Sequence, residues 1–217
     1  MLRRLESLFD PKNPRNGRNL VQLVISDYLA YYGPMTRMRR KWGVGGASKN
    51  DSPRTLALLF LPRLVHNPSL HATLLLRLAV RSPKFMLGLW RTILIAKHSI
   101  DISTSIEIGP GLLLPHPVGV SIGATARIGS DVTLLHYVGL GGNVFVGNRY
   151  RPAGPGVQLA PSVGNDVVIF TDSILVGAIT IGHEAVIGAG AWVDEDVPAR
   201  TVHPGRAALF RRLAGGA

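Results

Sequence analysis

The sequence predicts a mainly β protein in which a left-handed parallel β-helix follows a small α-helical domain. Three observations predict it: aliphatic residues recur every six positions through the second half, glycine directly follows most of them, and proline divides the first half into apolar stretches. A period of six matches neither an α-helix nor a coiled-coil heptad. Glycine at this density would also cost a helix about 1 kcal/mol per site.

The six-residue repeat keeps its register through two runs. Its aliphatic positions are Ile122, Ile128, Leu134, Leu140 and Val146, then Val163, Ile169, Leu175, Ile181, Ile187 and Val193. Glycine follows at Gly123, Gly129, Gly141, Gly147, Gly164, Gly182 and Gly188. Three hexads form one triangular coil, whose aliphatic side chains point inward and whose small residues permit tight corners. Stacked coils then bury one continuous core.

Two insertions interrupt this register. Two extra residues stand between Leu114 and Ile122, and a longer insertion runs from Asn148 to about Gly156. Insertions in solenoids become loops on one face, which is often the binding face. We therefore divide the chain into a basic α-helical domain, a β-helix with an extruded loop, and a C-terminal tail. These parts span residues 1–99, 100–204 with the loop at about 148–156, and 205–217.

The first 99 residues contain four predicted helices. Their limits follow Gly33-Pro34, Asn67-Pro68 and Ser82-Pro83, because proline and glycine interrupt helices. The predicted helices span about 18–32, 55–66, 69–81 and 84–97. The stretch from Pro34 to Pro53 is predicted to be a basic loop or linker.

The charge is unevenly distributed between these two parts. The chain carries a net charge of +11, yet residues 1–99 hold 17 Lys or Arg and 4 Asp or Glu, whereas residues 100–217 hold 7 and 9. Basic, leucine-rich helices suit the surface of an anionic membrane, although the same faces also suit packing on each other or on another subunit. No apolar run reaches the roughly 18 residues of a spanning helix. The lack of cysteine and of a signal-peptide core favours a cytoplasmic location, with contact at the inner face of the membrane as one possibility.

From Asp101 to Gly142 the sequence DISTSIEIGPGLLLPHPVGVSIGATARIGSDVTLLHYVGLGG resembles the serine acetyltransferase-like family of hexapeptide-repeat acyltransferases. The motif Leu-Pro-His-Pro and the Ala-Pro after the extruded loop are most similar to short family members that modify polysaccharides. The resemblance implies a coenzyme-A-dependent O-acyltransferase. It also implies a catalytic dyad, with His116 as general base and Asp101, fifteen residues earlier, orienting its imidazole.

The resemblance also bears on the acceptor. Ala160 stands where serine acetyltransferases carry a second active-site histidine, so we expect the acceptor to be a sugar hydroxyl of a polysaccharide or glycolipid. Serine O-acetylation in cysteine biosynthesis is the alternative, and a non-catalytic scaffold is a second one. The residues expected at the acceptor are His136, Ala160, Arg149 and Arg151.

Acetyl-coenzyme A, or another acyl-coenzyme A, is expected in a groove between subunits of a homotrimer or a dimer of trimers. The resemblance places small residues along this groove, one amide of Gly141 or Gly142 at the oxyanion, and basic residues near the nucleotide phosphates. The expected donor-binding residues are Gly141, Gly142, Gly188, Ala189, Gly190, Arg200 and Arg206. The glycines also fit plain turns, and the arginines a solvated tail.

Metal and nucleic acid are not expected as ligands. His66 and His71 have the five-residue spacing of one metal-binding β-helix class, but they lie in the helical domain with Pro68 between them. The basic charge accompanies leucine-rich helices and no recognition-helix or base-stacking motif.

Overall fold

The computed structural model describes residues 19–32, 41, 53–103, 105–142, 145–146, 149–150 and 157–206. Its helices are α1 (Leu20–Tyr32), α2 (Pro53–His66), α3 (Pro68–Arg81), a 3-10 turn (Lys84–Met86) and α4 (Leu87–His98). They agree with the predicted helices to within about three residues at each end. The predicted basic linker lies outside the described residues, apart from Lys41 and Pro53.

Fifteen short strands follow in the described part of the chain. They are β1 (Asp101–Ile102), β2 (Glu107–Ile108), β3 (Ser121–Ile122), β4 (Arg127–Ile128), β5 (Thr133–Leu134), β6 (Gly139–Gly141), β7 (Phe145–Val146), β8 (Arg149–Tyr150), β9 (Ser162–Val163), β10 (Val168–Ile169), β11 (Ile174–Val176), β12 (Thr180–Ile181), β13 (Val186–Ile187), β14 (Trp192–Val193) and β15 (Val202–His203).

The strands form three parallel sheets, which are the three faces of a β-helix. Face A has the order β1-β3-β6-β11-β14, face B has β2-β4-β9-β12, and face C has β5-β10-β13-β15. The chain visits the faces in the order A, B, C, so its turns are named here the A–B, B–C and C–A corners. The predicted extruded loop begins in an antiparallel hairpin of β7 and β8, and residues 151–156 lie outside the described residues.

The predicted register is confirmed by the strand pairing. Ile122 pairs in register with Leu140 on face A, Ile128 with Val163 on face B, and Leu134 with Ile169 on face C. All the predicted aliphatic positions whose side chains are described are at most 5% exposed. The continuous core of the β-helix is therefore built from these aliphatic residues, together with buried residues four places later such as Ala126, Val132 and Ala185.

The glycines act differently from what the repeat predicts. The residues in the left-handed conformation stand three places after the aliphatic residue and are mostly not glycine, as at Thr125, Asp131 and Asp172. The glycine directly after the aliphatic residue instead permits close stacking of coils: a Cβ on Gly182 would lie 2.3 Å from the amide nitrogen of Ala199. Glycine is thus needed mainly for approach between coils.

The helical region covers the first coil through a buried ion pair. Arg77 of α3 donates to both carboxylate oxygens of Asp27 of α1, at 2.8 and 2.9 Å, and both side chains are at most 3% exposed. The guanidinium also donates to the carbonyls of Ile108 and Gly109, and Asp27 accepts the Leu112 amide at 2.9 Å. One pair therefore joins two helices to the β-helix.

Candidate active site

The C–A corner of the first coil carries His116. The two extra residues of the sequence lie here, and the His116 side chain is exposed. The Val118 amide donates to the His116 carbonyl at 2.8 Å, which makes the turn tight. One coil further along, the rings of His136 and His116 meet edge to face, with centroids 5.6 Å apart.

The same corner continues as a column through the later coils. Backbone hydrogen bonds connect it step by step: Asp172 donates to the His136 carbonyl, Gly190 to Thr171, and Arg206 to Ala189. We call the stacked corner residues from His116 to Arg206 the C–A column. It brings together six of the predicted site residues, namely His116, His136, Gly188, Ala189, Gly190 and Arg206.

Two buried polar atoms in the middle of the C–A column lack a hydrogen-bond partner among the described residues. They are Nδ1 of His136 and Oγ1 of Thr171, on consecutive coils. Buried polar atoms are nearly always satisfied by protein, water or ligand. Thr171 was not predicted as a site residue. It follows Ile169 by two positions, as His136 follows Leu134, so the repeat could have identified it.

Asp101 begins face A of the first coil, in register with Ser121. Its carboxylate receives two hydrogen bonds from the Arg91 guanidinium of α4, one of them 2.8 Å between Nη2 and Oδ2. The hydrogen bonds from this guanidinium are the main reason why the pKa of the Asp101 carboxyl lies below its usual value. Burial has a smaller effect in the opposite direction. Within the described residues Asp101 and His116 share no hydrogen bond, so the dyad contact stays a prediction.

Other predicted residues lie away from the C–A column. Gly141 ends β6 and Gly142 follows it, at the A–B corner on the opposite side of face A. Arg200 lies at the B–C corner of the last coil, where it is 3.4 Å from the Glu184 carboxylate. The predicted cluster of donor-binding residues is therefore divided among three corners.

Ala160 does not line an open surface in this chain. It is 0% exposed and belongs to the β-helix core, where its methyl group packs near Gly123. The reason is its position two residues before β9, at the turn that enters face B. The side chain of Arg149 and all of Arg151 lie outside the described residues.

No helix among the described residues has the length and apolar character needed to cross a membrane. The same residues contain no group of three or more His, Cys, Asp or Glu side chains placed to hold a metal ion.

Comparison with solved structures identifies the fold class of the chain. No family model matches the sequence. The fold is similar to that of soybean serine acetyltransferase (TM-score 0.63, 27% identity, 86% of this chain and 66% of that one) and of the Neisseria gonorrhoeae enzyme (TM-score 0.61, 26% identity, 84% and 64%). The chain is thus mainly a left-handed parallel β-helix with a small helical part before it.

Sequence relatives are similar to the chain over about half of its length. The chain is 41% identical over 100 residues to the serine acetyltransferase of Helicobacter pylori, covering 46% of this chain and 53% of that one. It is 40% identical over 119 residues to serine acetyltransferase 3, mitochondrial, of Arabidopsis thaliana, covering 54% and 27%. The chain spans about half or less of these relatives' length. Over the matched part its sequence is similar to serine acetyltransferases, and its strands follow the hexapeptide repeat.

Proposed function

We propose that this protein is an acyl-coenzyme-A-dependent O-acyltransferase in which the C–A column is the active site. The observation that carries the proposal is an exposed histidine, His116, at the inserted corner of a β-helix of this family. Serine acetyltransferase relatives support acetyl-coenzyme A as the donor.

The proposed chemistry needs two proton transfers through His116 and no acyl-enzyme. Neutral His116 takes the proton of the acceptor hydroxyl while that oxygen attacks the thioester carbon. The carbon–sulfur bond then breaks, and the coenzyme A thiolate receives the proton from the imidazolium. An amide of Gly141 or Gly142 is the proposed donor to the oxyanion, and it would come from a neighbouring subunit because these glycines lie at the A–B corner.

The donor is proposed to lie along the C–A column. Ala189 presents a small, exposed side chain at this corner, and the unpartnered Nδ1 of His136 and Oγ1 of Thr171 lie in the same column. Arg206 at the end of the column is exposed and suits a phosphate group. Arg200, on a different corner, would reach the same donor only if a neighbouring subunit binds beside it.

A homotrimer is proposed because such a groove needs a second wall. Face A presents Ile174 and Trp192 in adjacent coils, 42% and 60% exposed, and contiguous exposed apolar residues mark contact surfaces. Light scattering of the purified protein tests this, and an active monomer would contradict it.

L-Serine is the first candidate acceptor. The relatives at about 40% identity are serine acetyltransferases, and solved relatives include the soybean and Neisseria gonorrhoeae enzymes in complex with serine. These similarities favour serine over the sugar acceptor expected from the sequence.

A sugar hydroxyl is the second candidate. It is favoured by Ala160, because this residue replaces the histidine that the family resemblance leads us to expect, and because its buried methyl group offers no hydrogen bond. Losing one charged hydrogen bond costs roughly 1.5–3 kcal/mol. A zwitterion such as serine would bind more weakly for that reason.

Release of free thiol from acetyl-coenzyme A tests both candidates. We expect turnover with L-serine or with a sugar, and a loss of about 10² to 10⁴ in rate for His116→Ala. His183→Ala is the matched control, because His183 is an exposed corner histidine on the B–C corner. Equal activity of wild type and His116→Ala would remove His116 from the mechanism.

A further inference from the structure

A second histidine pair lies in a cleft outside the C–A column. The cleft has a volume of about 430 Å³ and forms where the end of α2, the start of α3 and the end of α4 meet. Its lining residues are Val65, Pro68, His71, Lys97 and His98. None of them is acidic.

The two histidines share one hydrogen bond. His71 Nδ1 and His98 Nε2 are 3.0 Å apart, and His98 is only 8% exposed. One of these nitrogens must donate and the other accept, so a neutral pair presents one outer donor and one outer acceptor. A proton added to the pair makes both outer nitrogens donors.

The charges around the pair favour an anion. Burial above all, and then the nearby charges of His71 and Lys97, lower the pKa of His98, because a further positive charge is unfavourable there. A bound anion would relieve this repulsion and accept hydrogen bonds from Lys97 and the imidazoles. Val65 and Pro68 add an apolar wall that suits a carbon skeleton.

The cleft adjoins the corner that carries His116. Ser69, next to Pro68 of the cleft, donates its hydroxyl to the Pro115 carbonyl at 3.0 Å, directly before His116. On the other side, α4 ends at His98 and the chain enters β1, whose Asp101 amide donates to the Val120 carbonyl. Two walls of the cleft are thus anchored to the two ends of the His116 turn.

We propose that this cleft binds an oxyanion group, a carboxylate or a phosphate, on the same acceptor whose hydroxyl reacts at His116. The inference rests on the proposed function. It narrows the acceptor to a hydroxylated anion. The carboxylate of serine, a uronic acid and a sugar phosphate all meet this description, whereas a neutral sugar does not.

Binding is tested first without catalysis. Inorganic phosphate is titrated into the full-length protein with labelled histidines, and NMR resonances are assigned with His71→Gln and His98→Gln. We expect the signals of His71 and His98 to shift saturably, and Lys97→Ala to weaken phosphate binding about tenfold through loss of a charged hydrogen bond. Lys84→Ala is the matched control, because Lys84 is an exposed lysine before the other end of α4. Absent shifts, or shifts that Lys97→Ala leaves unchanged, would overturn the site.

Steady-state kinetics then decide whether the anion that binds in the cleft belongs to the acceptor or to the acyl donor. With L-serine, D-glucuronate and glucose 6-phosphate as acceptors, Lys97→Ala should raise the KM of the acceptor about tenfold and leave the KM of acetyl-coenzyme A unchanged. A raised KM for acetyl-coenzyme A instead would assign the cleft to the donor's phosphates and overturn its role for the acceptor. Phosphate binding in a protein that acylates none of these compounds would refute the proposed function while retaining the anion site.

Discussion

The helical region and the β-helix are stabilised in opposite ways. Each hexad of the β-helix repeats one small contact, an inward aliphatic side chain and a glycine that lets the next coil approach. The attachment of the helical region instead includes single polar contacts, above all the buried pair Asp27 and Arg77, which also binds backbone groups of the first coil. The Tyr31 hydroxyl, which hydrogen-bonds to the backbone of Leu114, is another. Stability thus comes from a repeated contact in one region and from a few individual polar contacts in the attachment of the other.

The largest effect on this comparison is expected from Asp27→Ala. Removal of the carboxylate leaves the Arg77 guanidinium buried without its counter-charge, which typically costs about 3–5 kcal/mol. We expect this loss in urea unfolding. Hydrogen exchange should show α1 and α3 exposed before the strands of the β-helix.

Removing both charges provides the control. Asp27→Leu with Arg77→Met leaves no unpaired charge, so it should recover much of the stability lost in Asp27→Ala. An Asp27→Ala protein as stable as wild type would mean that the helical region is held by its other contacts.

In the β-helix, Leu140→Ala should remove contacts at one coil only. Leu140 is 0% exposed in the middle of face A, and truncation of such a residue costs roughly 2–5 kcal/mol. Hydrogen exchange should rise around β3, β6 and β11 and stay low in α1. Equal loss of protection in both regions would show that they unfold as one unit.

Much of the β-helix was predictable because its physics repeats. Six-residue periodicity, read from Ile122 to Val193, indicated the inward aliphatic position of each hexad whose side chain the structure describes. The corner residues in the left-handed conformation were not predicted, because this conformation was expected at glycine. Asp131 and Asp172 adopt it instead.

The helical region was predicted only as separate elements. Single charged residues inside apolar stretches, Asp27 in VISDYLAYY and Arg77 in LLLRLAV, are a readable signal for a buried pair, since an unpaired buried charge is too costly. The sequence does not indicate that these two residues pair with each other, because they stand fifty positions apart and follow no period. The contacts of Arg91 with Asp101 and of His71 with His98 were not predicted either, because they also follow no sequence period.

The helical region and the β-helix are also expected to differ in membrane binding, although the expected effect is smaller than the effects on stability. We propose that α2 meets an anionic surface, since Leu58, Leu61 and Val65 share one face and are 62%, 68% and 76% exposed. Leu61→Ser with Val65→Ser should lower binding to phosphatidylserine vesicles about tenfold in a sedimentation assay. Val202→Ser on face C of the β-helix, where Val202 is 55% exposed, is the control and should leave vesicle binding unchanged. Equal binding by all three proteins would contradict the proposal.

The smallest effect is expected where the two regions meet in solvent, at Arg91 and Asp101. This ion pair has the same chemistry as Asp27–Arg77, but its side chains are 52% and 42% exposed, so Arg91→Ala should cost less than about 1 kcal/mol at neutral pH. Because the folded pKa of Asp101 is lowered, its stabilisation is present above the usual value of 3.8 and is lost as the pH falls through the lowered pKa. Wild type and Arg91→Ala should therefore converge in stability in acid, and the NMR-detected pKa of Asp101 should rise in the variant. A stability difference that persists below both pKa values would assign the effect to packing of the arginine stem.

The same variant distinguishes two roles for the Asp101 carboxylate. If Asp101 orients His116 during turnover, Arg91 competes with the imidazole for it, so Arg91→Ala should retain or raise the rate while Asp101→Asn lowers it strongly. If the carboxylate serves only the ion pair, both variants should lose the same small amount of stability and keep the wild-type rate. The comparison thus separates a positioning residue from a surface contact, because stability and turnover respond differently to each role.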